Sequence, residues 1–99
     1  MNKKKQQSKS ELLTLTNIGP AMLRDLNSLN IHSIRQLAQA NPDSLYLKLE
    51  KITGKSQDLC VWDVFAAAVH EAKTGEQTVW WAWTPVRKKR QAAGKFCKK

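Results

Sequence analysis

The 99-residue sequence has no long hydrophobic run, little cysteine and, at either end, no acid. Its longest uninterrupted apolar stretch, Val64 to Val69, has six residues, far short of the ~20 that cross a bilayer. The early lysines lead into Gln6, Gln7 and Ser8 rather than an apolar segment, so no export signal is legible and the expected location is the cytoplasm. Two cysteines, Cys60 and Cys97, are too few and too far apart for a Cys-x-x-Cys metal site or a disulfide framework. Cys60 falls in an apolar helical run and reads as a small core residue, Cys97 as a free thiol in a reducing compartment. His32 and His70 have no third partner at metal spacing and no nucleophile placed beside them, so they read as structural or solvent-facing. A carboxylate pair on one helical face and a glycine-rich phosphate loop are also missing. The expectation is a protein with no catalytic residues, no metal, no cofactor, no small-molecule substrate and no membrane partner.

What the sequence has in excess is positive charge, +9 overall, and its distribution matters more than its total. Residues 1–9 hold four lysines and residues 87–99 seven Lys or Arg, with no acid in either. Between them, residues 10–86 carry six basic against eight acidic side chains, a slightly acidic body. The reading is a single folded domain over 10–86 between two disordered basic tails, 1–9 and 87–99. Such tails attract nucleic acid without sequence preference.

The body reads as all-α, with about five helices. Ser8 and Glu11 fit a capping box that opens a short helix through Leu15. Pro20 starts a second helix to about Leu29, with Met22, Leu23, Leu26 and Leu29 at helical spacing. Ser33 with Gln36 caps a third, carrying Ile34, Leu37 and Ala38 inward; Asn41-Pro42 caps a fourth, with Leu45, Leu49 and Ile52 inward up to Gly54. Ser56 opens the longest helix, about Gln57 to Lys73, which is apolar nearly all round and therefore predicted as the core element. Asp63 interrupts its apolar run and either reaches the surface, the favoured case, or pairs with a basic group. Only Thr78 to Trp83 suits an extended segment as well as a turn of helix.

The stretch most suggestive of function is Asn17-Ile18-Gly19-Pro20-Ala21-Met22, between the first two helices. Asn and Gly readily take positive φ, and Pro suits the first helical position, so a tight turn is predicted that points free amides outward at a helix start. That geometry favours an anion such as a nucleic-acid phosphate. The same four residues Asn17 to Pro20 also make an ordinary corner that needs no ligand. Trp80, Trp81 and Trp83, just ahead of Arg87-Lys88-Lys89-Arg90, carry a similar choice. Exposed indoles beside cations stack on unpaired bases, whereas buried ones form a lid over the long helix; the lid is the favoured reading, with Trp81 and one neighbour buried and the third exposed.

Taken together, Asn17-Ile18-Gly19-Pro20-Ala21, Asp25-Leu26, Leu29-Asn30-Ile31, Asn41-Pro42-Asp43, Leu45-Tyr46, Leu49, Cys60-Val61, Asp63-Val64-Phe65, Ala68-Val69 and Trp80-Trp81 resemble a family of small bacterial proteins, the pathogenicity-locus or mitomycin-resistance helix-hairpin-helix proteins. The resemblance spans about Leu12 to Lys89 and extends more distantly to the carboxyl-terminal domain of the competence regulator TfoX. It implies an all-helical fold containing a helix-hairpin-helix and a DNA-linked role in repair or damage resistance. The chain departs from the hairpin pattern at Asn17, in place of the first turn glycine, at Leu23, in place of a small residue, and at Asn30, in place of a corner glycine.

The function expected from these readings is a non-enzymatic module that binds duplex DNA without base readout. Asn17, Ile18, Gly19, Pro20, Ala21 and Met22 form the phosphate site, Arg24 assists, and Arg87, Lys88, Lys89 and Arg90 add attraction. The alternative is a protein-interaction or regulatory adaptor that uses the hairpin only for packing, with an accessory subunit of a DNA-repair enzyme a third.

Overall fold

The computed structural model describes residues 11–97, in which the chain folds into one all-α domain of five α-helices: α1 (Pro20–Ser28), α2 (Ile34–Ala38), α3 (Pro42–Thr53), α4 (Cys60–Thr74) and α5 (Thr84–Ala92). Two 3-10 helices, Glu11–Thr14 and Trp80–Trp83, precede α1 and α5. There is no strand among the described residues, and the tryptophan segment takes the helical of its two options. The segment 1–9 and the Ser8 half of the first capping box lie outside the described residues.

Local sequence explains most boundaries. Pro20 sits in the first turn of α1, and Asn41 Oδ1 accepts the amides of Asp43 and Ser44 at the head of α3. Ser33 Oγ accepts the Gln36 amide at the head of α2, and Gln36 reaches back to the amide of His32. α1 ends in a Schellman arrangement: Asn30 takes the left-handed conformation at φ 64, its amide donates to Asn27 O, and that of Ile31 to Leu26 O. This is why an asparagine can stand at a corner that otherwise favours glycine. α4 begins at Cys60 rather than at Gln57, because Asp58 Oδ1 takes the Cys60 amide at 3.1 Å. That hydrogen bond holds the Asp58 carboxyl below its usual range.

α4 is the core element. Trp62, Phe65, Ala66, Ala67, Ala68 and Val69 are all buried, and α2, α3, α5 and the second 3-10 helix pack on it. α1 leans on α3 and on the first 3-10 helix. Ile52, expected inward, is 57% exposed, because the last turn of α3 and the loop to Ser56 have left the core. Tyr46 is buried in that helix instead, with its hydroxyl donating to Gln57 O at 2.7 Å.

Two expectations are overturned at the carboxyl-terminal side. Residues 87–97 are not a solvated tail: α5 runs through the charge run to Ala92, and Gly94, at φ 72, reverses the chain so that Phe96 is buried. Asp63 does not reach the surface either but takes the other of its two options, a basic partner; it is 0% exposed. Arg87 Nε donates to its Oδ1 at 2.8 Å and Thr84 Oγ to its Oδ2 at 2.7 Å. A buried carboxylate is tolerable when its lone pairs are filled in this way.

Candidate nucleic-acid interface

The turn between the first 3-10 helix and α1 is anchored from below by Leu15 and Ile18, both buried. It is shaped by side chains rather than by left-handed backbone. Gly19 lies at φ −103 and ψ −174, extended backbone open to any residue, and Asn17 is not among the positive-φ positions. Instead, Glu71 of α4, itself buried, accepts the Thr16 amide on Oε1 at 2.9 Å and the Thr16 hydroxyl on Oε2 at 3.3 Å. The Asn17 amide group donates to Thr78 O at 2.7 Å, and its Oδ1 accepts the Trp80 amide at 3.1 Å. Asn17 thus joins the turn to the tryptophan segment. Asn17→Ala, which unpairs both of those backbone groups, is expected to cost about 1 to 3 kcal/mol in urea unfolding.

The amides of the turn divide into used and free. Ile18 N–H donates to Leu15 O, so Ile18 contributes to the core and not to a phosphate site. Leu23 N–H closes the first turn of α1 on Gly19 O. Those of Gly19, Ala21 and Met22 have no partner among the described residues, and no side chain caps the helix. A Cβ built on Gly19 would meet nothing within 4 Å. Neither backbone conformation nor space therefore demands a glycine there. Arg24 is exposed on α1. Next to it, burial pushes the Asp25 carboxyl above its usual range, with Arg24 pulling the other way.

The four basic residues of the carboxyl-terminal run separate into two pairs. Arg87 is committed to Asp63 and also donates to Gln91 Oε1 at 3.0 Å. Arg90 donates through Nη2 to Asp43 Oδ2 at 2.7 Å, with its guanidinium carbon 5.5 Å from the centre of the Trp62 ring. Lys88 and Lys89 are exposed and carry no ion pair among the described residues.

The tryptophans also part company. Trp62 is buried, its Nε1 donating to Asp43 Oδ1 at 2.7 Å. Trp83 packs against the core, with Nε1 on Thr78 Oγ and its ring 5.2 Å from that of His70. Trp80 is half-buried and Trp81 is 60% exposed, the two rings edge to face at 5.7 Å. Trp83 supplies the lid, but Trp81, expected to be buried with one neighbour, is the exposed ring, because the polar holds on the segment go to the residues beside it, Asn17 on Trp80 and Thr78 on Trp83.

His70 Nε2 pairs with Glu76 at 2.6 Å, and His32 Nδ1 meets Asn27 Oδ1 at 3.0 Å. No three metal-ligating side chains gather among the described residues, and none of those helices is long and apolar enough to cross a membrane. Cys60 and Cys97 are both free and half-buried, and burial pushes each thiol up, which keeps them poor nucleophiles. A groove of about 280 Å³, which nothing in the sequence suggested, lies between the start of α3, α4 and α5, with Trp62, Val69 and Trp83 among its apolar lining and Lys73 at its polar edge. Sequence reasoning also missed the clamp formed by Glu71 and Asn17. A lone acid late in an otherwise apolar helix was its one visible signal.

Comparison with known proteins gives a consistent picture. The model of a family described as Cdd1, pathogenicity locus, matches residues 5–89. A mitomycin resistance protein McrB from Streptomyces lavendulae is 34% identical over 80 residues, covering 81% of this chain and 76% of the relative. No solved structure matches.

Proposed function

This chain belongs to the pathogenicity-locus family, and from that premise and the shape of its turn we propose that it is a non-enzymatic helix-hairpin-helix module that binds DNA through backbone phosphates, without sequence preference. The observation that carries the reading is the set of unpartnered amides of Gly19, Ala21 and Met22, on a turn fixed by Glu71 and Asn17 and left uncovered by a glycine the fold does not require. Aligned N–H groups at the positive end of a helix favour a phosphate, and a bare Cα lets one approach. Arg24, Lys88 and Lys89 supply the sequence-independent attraction. Arg87 and Arg90 do not join them, being committed to Asp63 and Asp43. The Streptomyces relative's name, a mitomycin resistance protein, supports a task in resistance to damage.

The same withdrawal of two arginines favours a second reading, a protein-interaction adaptor whose slightly acidic body is the working surface. Titration of full-length protein with duplex DNA, against the Gly19→Val variant, separates the two. A valine side chain over the amides is expected to weaken binding about tenfold, the loss of one charge-assisted hydrogen bond, at a stability cost of about 1 kcal/mol or less. Unchanged affinity in the variant removes the turn from the mechanism. Absence of DNA binding by the parent protein leaves the adaptor.

A further inference from the structure

Trp81 has no structural task that its position explains. It lies outside the core cluster, is 60% exposed, and its indole N–H has no partner among the described residues. Its one ring contact among the described residues is with Trp80, whose edge-to-face packing at 5.7 Å and 86° holds the Trp81 ring in a defined orientation. Trp80 is in turn fixed through its backbone by Asn17. A large aromatic ring held rigid and left bare is a surface for another flat ring.

We propose that Trp81, braced by Trp80, is a stacking platform for an unpaired nucleic-acid base, so that the protein prefers single-stranded or locally opened DNA to intact duplex. The inference rests on the nucleic-acid reading above and names the form of DNA it selects. Charge complementarity selects this occupant. Beyond Glu76, which pairs with His70, the sequence to its end has no acid. Lys88 and Lys89 stand exposed on the helix that continues from the tryptophan segment. Seven helical steps from Trp81 to Lys88 span roughly 10 Å, a reach that suits the backbone of a strand whose base lies on the ring.

The shape of the patch argues against a lipid surface. A helix lying in a membrane interface presents a broad apolar stripe. The exposed face here is Trp81, Ala82, Pro85, Val86, Lys88 and Lys89, one large ring and a single aliphatic side chain, Val86, broken up by small and charged residues rather than a continuous stripe. Stacking on one ring is sequence-tolerant because every base has a π-face. Duplex DNA keeps those faces covered and gains nothing from the platform.

The test is a titration of the full chain with an oligothymidylate and with a blunt duplex of the same length, at fixed salt, for the parent protein, Trp81→Ala and Trp81→Phe. The parent is expected to bind the oligothymidylate more tightly, with its tryptophan emission quenched. Trp81→Ala is expected to lose roughly 5- to 150-fold for the single strand and to hold its duplex affinity within about twofold, since duplex binding draws on phosphate contacts alone. Trp81→Phe is expected to retain most of the single-strand affinity. Because Trp81 is 60% exposed and lies outside the core cluster, unfolding curves of both variants should nearly overlay that of the parent. The inference is overturned, with the DNA-binding reading intact, if duplex is bound and Trp81→Ala binds oligothymidylate as the parent does. Both fall if neither nucleic acid is bound. Quenching by anionic phospholipid vesicles but not by oligothymidylate also overturns the inference.

Discussion

Replacing Asp63 with alanine is expected to lower the stability of the domain by about 3 to 5 kcal/mol, the usual loss when one partner of a buried ion pair is removed. The carboxylate is fully buried and takes one hydrogen bond on each oxygen, from Arg87 Nε and Thr84 Oγ. Without it the Arg87 guanidinium, whose side chain is 10% exposed, keeps its charge in the interior with Gln91 as its one hydrogen-bond partner among the described residues. Relief requires α5 to lift from α4 until water reaches the guanidinium. Against a total of roughly 5 to 15 kcal/mol for a domain of ordinary stability, the loss is severe. Urea unfolding followed by circular dichroism measures it, and a change below about 1 kcal/mol would contradict the burial of the pair. The double variant Asp63→Leu with Arg87→Met should recover much of the loss, because two apolar side chains of similar volume owe no desolvation cost.

The pair also marks where the sequence stops being readable. The starts of α2 and α3 were legible because a cap, Ser33 or Asn41, and the amides it serves lie within three residues of each other, and that of α1 because Pro20 suits a first turn. The core helix was legible because its apolar residues leave no polar face. A run such as Arg87-Lys88-Lys89-Arg90 has no comparable signature. Its two arginines find carboxylates 24 and 47 positions away, and composition cannot tell a guanidinium that has such a partner from one that has water. The candidate site divides in the same way. Free amides after Gly19 follow from Pro20 and helix geometry, whereas the clamp on the turn comes from Glu71 and from Thr78 and Trp80, which lie 55 to 63 positions away. Positive φ was assigned to Asn17 and Gly19 on residue type, but these long-range bonds hold the turn closed in ordinary backbone. Asn30, treated only as a departure from a glycine pattern, is the residue that takes the left-handed conformation.

Phe96→Ala tests the other half of the attachment of α5 and is expected to cost about 3 kcal/mol, the lower end for a buried phenylalanine because the ring sits at the margin of the core. The chain reaches this position by a second Schellman reversal, with Gly94 N–H on Gln91 O and Lys95 N–H on Arg90 O. The turn delivers the Phe96 ring edge-on to Trp62 at 5.5 Å and tilted against Tyr46 at 6.2 Å, leaving it 9% exposed. Were residues 87–99 a solvated tail, the substitution would change nothing in thermal unfolding, so the measurement separates the two descriptions directly. Trypsin supplies a second readout, since loosening α5 should speed cleavage after Lys88 and Lys89. Asp63→Ala and Phe96→Ala together should cost less than the sum of the two alone. Once either has released α5 from α4, the contact removed by the other has already been partly lost, and the shortfall measures how far the helix acts as one unit.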